Sequence, residues 1–285
     1  MNKTTRIFHL FLNNFTLLVA KLRRHLFPER FRGESKGVVS LNDVRFPYDL
    51  ELDPMLMEIV EGHFAEDLVH LIRRYLRPGD TFIDVGANIG YISAYGLSLV
   101  GKKGRVHSFE PVPSYFSRLE QVRDLNPNHC LNVNNFALGS APGSVPIAIS
   151  KQGNIGWNTI VPGFMELENI LETINIPVKR LDDYLLERGI DEVRLIKIDT
   201  EGYEFPVLLG LSKFLDVCKH KPCIVCEVAP DAFPKLGYQI KDLENYMKGY
   251  GYRFLRVDTL TELSLVDLSG TMDVFFVPAQ PLKGH

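Results

Sequence analysis

Cysteine is scarce. Four residues in 285, Cys130, Cys218, Cys223 and Cys226, are too few for the disulfide framework of a secreted scaffold, so a reducing compartment fits best. Charge of one sign is lacking as well. Lys and Arg number 32 against 35 Asp and Glu, a formal net charge of −3, which leaves no general electrostatic footprint for nucleic acid. An apolar fraction of 45% is too high for a disordered chain. No bilayer-spanning run is present either. The nearest candidate, Ile7 to Ala20, is interrupted by His9, Asn13 and Asn14 and falls short of the ~17 to 25 residues a span requires. Small residues do not follow it, as they would in a cleaved export signal; Lys21, Arg23, Arg24 and His25 do. A cytoplasmic location is therefore expected.

What is there begins with a basic, apolar segment over residues 1–34. Phe8, Phe11, Phe15 and Leu18 recur at helical spacing beside cations, so residues 1–32 suit a peripheral contact with the inner membrane face. They equally suit a helix packed on its own domain or on a partner subunit. Further on, Cys218, Cys223 and Cys226 read C-x4-C-x2-C, the spacing of some metal or cluster ligands. Cys223 and Cys226 lie in an apolar β-like run, three apart and so on opposite faces, and only His220 is near to complete a set. Buried structural thiols are the expectation.

Residues 35–77 read as a helical lead-in, with one apolar helical pattern from Pro54 to Leu76 closed by Arg77-Pro78-Gly79. Residues 78–285 read as an α/β domain. Its β-like runs are Thr81 to Val85, Arg105 to Phe109, Leu131 to Leu138, Arg194 to Ile198, Cys223 to Val228, Tyr252 to Val257 and Asp273 to Val277. Their alternation with helical stretches argues a parallel, doubly wound sheet. An insertion at about 143–178 is longer than a crossover needs, and Val145 to Ser150 with Thr159 to Val161 read as a small hairpin within it.

The chemistry sits at strand ends. In Phe82-Ile-Asp-Val-Gly-Ala-Asn-Ile-Gly-Tyr91 an apolar strand delivers Asp84 into a turn carrying Gly86, Asn88 and Gly90, where a backbone without side chains can approach a ligand closely. This is not the dinucleotide fingerprint, because Ala87 and Asn88 displace its second glycine. An acid there would repel a pyrophosphate and suit a cationic ligand, which favours S-adenosyl-L-methionine over a nicotinamide cofactor. Glu110, at the tip of the next strand, is placed to accept both hydroxyls of a ribose. Asn135 and backbone groups near Ala137 border the expected adenine edge, although turn-forming asparagine explains that segment too. The run Leu195-Ile-Lys-Ile-Asp-Thr-Glu-Gly-Tyr-Glu204 delivers Asp199 and Glu201 to the same edge. Glu201 and Glu204 also suit the first turn of a helix; Asp199 is harder to explain structurally.

Taken together, FIDVGANIGYIS, FEP, NNFALGS, VKRLDDYL and LIKIDTEGYEFPVLLG with IVCEV behind it resemble the FkbM-type S-adenosylmethionine-dependent methyltransferases over roughly Leu76 to Pro278. The resemblance implies a Rossmann-like class I fold, a seven-stranded, mostly parallel sheet with the last strand antiparallel and helices on both faces. It implies methyl transfer to a hydroxyl on a sugar, glycan or small natural product. By matching motif positions, Asp84, Gly86, Asn88 and Gly90 would hold the methionine part of the cofactor and Glu110 its ribose. Gly156-Trp157-Asn158 is unmatched and stands as an acceptor-side loop.

Transfer from a sulfonium needs alignment first and removal of a hydroxyl proton second. Asp199 is the candidate base, with Glu227 at the tip of the fifth strand cooperating. A divalent ion shared between them is weighed and not favoured, and no metal ligand set is assigned. His63 and His107 read as surface or packing groups rather than bases. Two rivals remain: a cofactor-binding scaffold without turnover, and a nicotinamide-dependent oxidoreductase.

Overall fold

The computed structural model describes residues 35–50, 56–62, 64–151 and 156–279. The segment 1–34, with its membrane or partner reading, and His63 lie outside the described residues.

A seven-stranded sheet forms the centre. Its strands are β3 (Thr81–Val85), β4 (Arg105–Phe109), β5 (Cys130–Asn134), β9 (Leu195–Ile198), β10 (Cys223–Val228), β11 (Tyr252–Arg256) and β12 (Met272–Pro278). They stand in the order β11-β12-β10-β9-β3-β4-β5, and β12 runs antiparallel to both of its neighbours. The central strands read as unbroken apolar runs because both of their faces are covered. Alternate residues feed two cores: Ile83, Val85, Ile196 and Ile198 enter one, Phe82, Leu195 and Val225 the other. Cys226 joins the first core and Cys223 the second, on opposite faces as the spacing predicts. Cys218 is half-buried and Cys130 exposed, so the buried-thiol expectation holds for only part of the set.

From β3 the chain winds outward through α3 (Tyr91–Val100), β4, α4 (Pro113–Leu125) and β5, then returns to the other side of β3 as β9. Connections therefore diverge between β3 and β9, and a crevice opens at their carboxyl ends, where ligands of open α/β sheets bind. α5 (Leu181–Glu187) precedes β9, α6 (Glu204–Leu209) and α7 (Ser212–Val217) follow it, and α8 (Ile240–Gly249) precedes β11.

Four details differ from the sequence expectation. Residues 35–77 are not wholly helical: β1 (Lys36–Leu41) and β2 (Val44–Asp49) pair as an antiparallel hairpin. The helical pattern after them divides into α1 (Leu56–Glu61) and α2 (Glu66–Tyr75), because Gly62 and Ala65 adopt positive φ of 79° and 49°. The apolar pattern survives the break because Leu56, Ile59, Leu68, Leu71 and Ile72 enter one core. The run Leu131 to Leu138 also divides, into β5 and β6 (Ala137–Leu138). β6 leaves the main sheet for a three-stranded one with β7 (Gly143–Ser150) and β8 (Ile170–Lys179). The inserted hairpin is therefore β7 with β8, and Thr159 meets β7 only through a single bridge to Ala148.

His107 is buried on β4 with Nδ1 2.8 Å from the Tyr184 hydroxyl. Burial, then Arg188 and Arg105, lower its pKa to about 4, which suits the packing role expected of it. Among the described residues no helix is long and apolar enough to cross a membrane.

Candidate active site

A cavity of about 320 Å³ opens at the carboxyl ends of β3, β4, β9 and β10, within the size range of small-molecule sites. It has two halves and an apolar floor.

In the first half the turn after β3 approaches the turn after β9 so closely that a Cβ on Gly86, whose φ is +75°, would lie 1.8 Å from the Asp199 carbonyl oxygen. Glycine is required there. Asn88 takes φ 51° and donates its backbone N–H to Glu110 Oε2 at 2.9 Å, while Val112 N–H donates to Oε1 at 2.8 Å. Burial raises the Glu110 pKa to about 7, against the lowering effect of those two donors. Phe136, Ala137 and Leu138 complete this wall.

Three sequence candidates stand behind the surface rather than on it. Asp84 is fully buried and does not line the cavity. Its Oδ2 accepts from Ser93 at 2.5 Å, and its Oδ1 lies 3.6 Å from Lys197 Nζ. It therefore shapes the cradle through neighbours. Gly90 faces α4, where a Cβ would meet Leu119 at 2.6 Å. Asn135 turns its amide onto the carbonyls of Glu110 and Pro111 at 2.9 and 3.1 Å and braces that loop from outside.

The second half is carboxylate-rich. Asp199, Glu201, Glu227 and Asp273 all line it. Burial and then repulsion from Asp199 hold Glu201 and Glu227 well above the usual carboxylate range, and the same causes raise Asp273 to about 6. Glu201 has φ 53°, and Thr159 Oγ1 donates to its carbonyl at 2.6 Å, which fixes the direction of the turn. Glu204 plays the helix-start part expected of it, its Oε1 accepting from the backbone N–H of Thr200 and Gly202 at 3.0 and 2.9 Å. Glu201 does not: it points to the cavity.

Lys197 was not singled out from the sequence, yet it joins the halves. Its Nζ donates to the Gly86 carbonyl at 2.9 Å and lies 3.2 Å from Asp199 Oδ2. Burial would lower its pKa, but Asp199 and Asp84 raise it overall, so it stays a cation. The floor was also missed. Leu56, Ile59, Phe64 and Leu68 cover the cavity from α1, α2 and the turn between them, with Phe64 edge-on to Tyr91 at 5.4 Å. Trp157 and Asn158 line it as well, as read from the sequence.

The sequence model for the methyltransferase FkbM domain matches residues 84–254, well over half of the chain and every strand tip described above except that of β12. The chain belongs to the FkbM methyltransferase family. Hexuronic acid methyltransferase AglP of Haloferax volcanii is 28% identical over 154 residues, 53% of this chain and 57% of that protein. The 31-O-demethyl-FK506 methyltransferase FkbM of Streptomyces tacrolimicus is 30% identical over 159 residues, 48% of this chain and 61% of that protein. Methyltransferase 1 of Beauveria bassiana is 28% identical over 152 residues, 47% of this chain and 59% of that protein. The FkbM-family chain thus covers less than two thirds of the length of each.

Proposed function

We propose that this FkbM-family chain transfers a methyl group from S-adenosyl-L-methionine to a hydroxyl oxygen of a sugar, glycan or small natural product. One observation carries the reading: a single cavity joins the glycine turn at Gly86 and the buried acid Glu110 to a cluster of strand-tip carboxylates. The residues fit the cofactor. Each Glu110 oxygen accepts one backbone N–H and keeps a further lone pair for a ribose hydroxyl. Phe136, Ala137 and Leu138 offer an apolar wall for a base.

When bound, the cofactor supplies a sulfonium methyl group already activated for transfer. The protein's share is alignment and proton handling. Gly86 and Asn88 shape the donor's cradle, and Lys197 ties that cradle to Asp199. Asp199 orients the acceptor hydroxyl and receives its proton as the C–O bond forms. Glu227 assists from the neighbouring strand tip, and the floor from α1 and α2 keeps water out. Two relatives, a hexuronic acid methyltransferase and a 31-O-demethyl-FK506 methyltransferase, support a sugar or natural-product acceptor, the second an oxygen. The acceptor side presents acids rather than the exposed cations that a phosphate backbone recruits, so the reading stays with hydroxylated small molecules and glycans.

The test uses the full chain with methyl-labelled cofactor and fractions of a host extract. Label should enter one fraction, and Asp199→Asn should lower that transfer by ~10²- to 10⁴-fold with cofactor retention unchanged. Retention of cofactor with no S-adenosylhomocysteine formed from any fraction would leave a binding scaffold. Retention of NADH in place of S-adenosyl-L-methionine would overturn the reading altogether.

A further inference from the structure

We propose that Asp199, Glu201 and Glu227 hold a divalent cation of the magnesium or manganese class at the acceptor end of the cavity. The placing of the acceptor on that ion rests on the methyl-transfer reading above; the ion site itself does not.

The three side chains each present one oxygen, and all three oxygens lie within 4.8 Å of one another. Oxygens that share one hard cation at about 2.0 to 2.6 Å are separated by distances of this order. Proximity alone would describe many acidic surfaces. The second observation is on Glu227: its Oε2 is enclosed, with no surface open to solvent, and has no hydrogen-bond partner. A buried carboxylate oxygen normally has a donor or a counter-ion, and among the described residues this one, at the edge of the three-acid cluster, has neither.

The nearby lysine does not fill that need. Lys197 Nζ donates to the Gly86 carbonyl and forms ion pairs with Asp199 Oδ2 at 3.2 Å and Asp84 Oδ1 at 3.6 Å, so its partners lie elsewhere. Among the described residues no ion pair reaches Glu201 or Glu227. Next to Glu227 in register stands Asp273, another acid, rather than a base. The ligand type selects the class of ion. Three carboxylate oxygens with no thiolate or imidazole among them are hard donors, which suit magnesium, manganese or calcium and not zinc. Three protein oxygens leave about three positions of a six-coordinate ion free. Those positions face the cavity, where an acceptor hydroxyl could bind beside Asp199.

Manganese(II) is the probe, added to the purified full chain without cofactor and followed by the electron paramagnetic resonance of the free ion. One saturable ion per chain is expected, with Glu227→Gln and Glu201→Gln each weakening it by roughly tenfold or more. Undiminished retention of S-adenosyl-L-methionine by both variants shows that they are folded. Absence of saturable binding by the unaltered chain overturns the site, and so does binding that survives both substitutions. Should the ion bind as expected while no extract fraction takes up label, the methyl-transfer reading fails and the site stands. Label transferred at full rate in excess chelator by a chain with no saturable site overturns the ion and keeps the transfer.

Discussion

Asp84 on β3 stands in register with Lys197 on β9, whereas Glu227 on β10 stands in register with Asp273 on β12. The first pair joins opposite charges beneath the proposed cofactor cradle; the second sets two acids side by side beneath the proposed acceptor end. Cross-strand neighbours of opposite charge support a sheet and like charges oppose it. On the cofactor side the buried acid Glu110 has a backbone donor on each oxygen, from Asn88 and Val112. On the acceptor side Glu227 Oε2 has none. The difference teaches that Glu110 at one end of the cavity is satisfied by the chain itself, while Glu227 at the other end is left to be completed by what binds there.

Removing the shared cation should break this contrast most severely. Lys197→Met leaves Asp84 buried without its counter-charge, and a loss of about 3 to 5 kcal/mol in urea denaturation is expected. A loss below about 1 kcal/mol would show that the two halves do not depend on this lysine.

A middle-sized effect should separate the halves by pH. Burial raises Glu204 from 4.5 to about 7 in the folded chain, so between those values the folded state binds the extra proton. Stability is then fully present below about pH 4.5 and falls as pH rises through about 7. Glu204→Gln keeps an oxygen for Thr200 and Gly202 and should remove up to about 3 kcal/mol of that decline. Thermal unfolding at a series of pH values reads the slope, and an unaltered slope would mean that Glu204 is not the group responsible.

The smallest effect is expected from Asn135→Ala on the cofactor side, where two amide contacts to the Glu110 and Pro111 carbonyls are lost. A destabilisation of about 1 kcal/mol should result, with a comparable weakening of cofactor binding in calorimetry. A much larger loss of binding would move Asn135 from brace to direct contact.

Asp199, Glu110 and Glu227 were legible in the sequence because each closes an apolar strand, and strand ends in such a sheet must meet at one edge. Glu201 was legible only as one of two readings. Its position three residues beyond β9 fits a helix start as well as a cavity wall, and only the positive φ and the Thr159 contact decide between them. Lys197 did carry a signal that went unused: a lysine within an apolar strand covered on both faces must be paired. Asp84 had the right strand end but not the right depth, since residue spacing does not say whether a side chain reaches the cavity or its underside. The β7 and β8 pairing joins residues separated by a long connection, which local pattern cannot show.

The contact between Gly86 and the Asp199 carbonyl leaves no space for even a methyl group. Donor and acceptor turns are thereby keyed together and cannot slide past one another. A change of acceptor preference in this lineage is accordingly easier to reach by remodelling the β7–β8 arm or the helical floor than by shifting the strand ends. Those two outer elements are the adjustable jaws of an otherwise fixed vice.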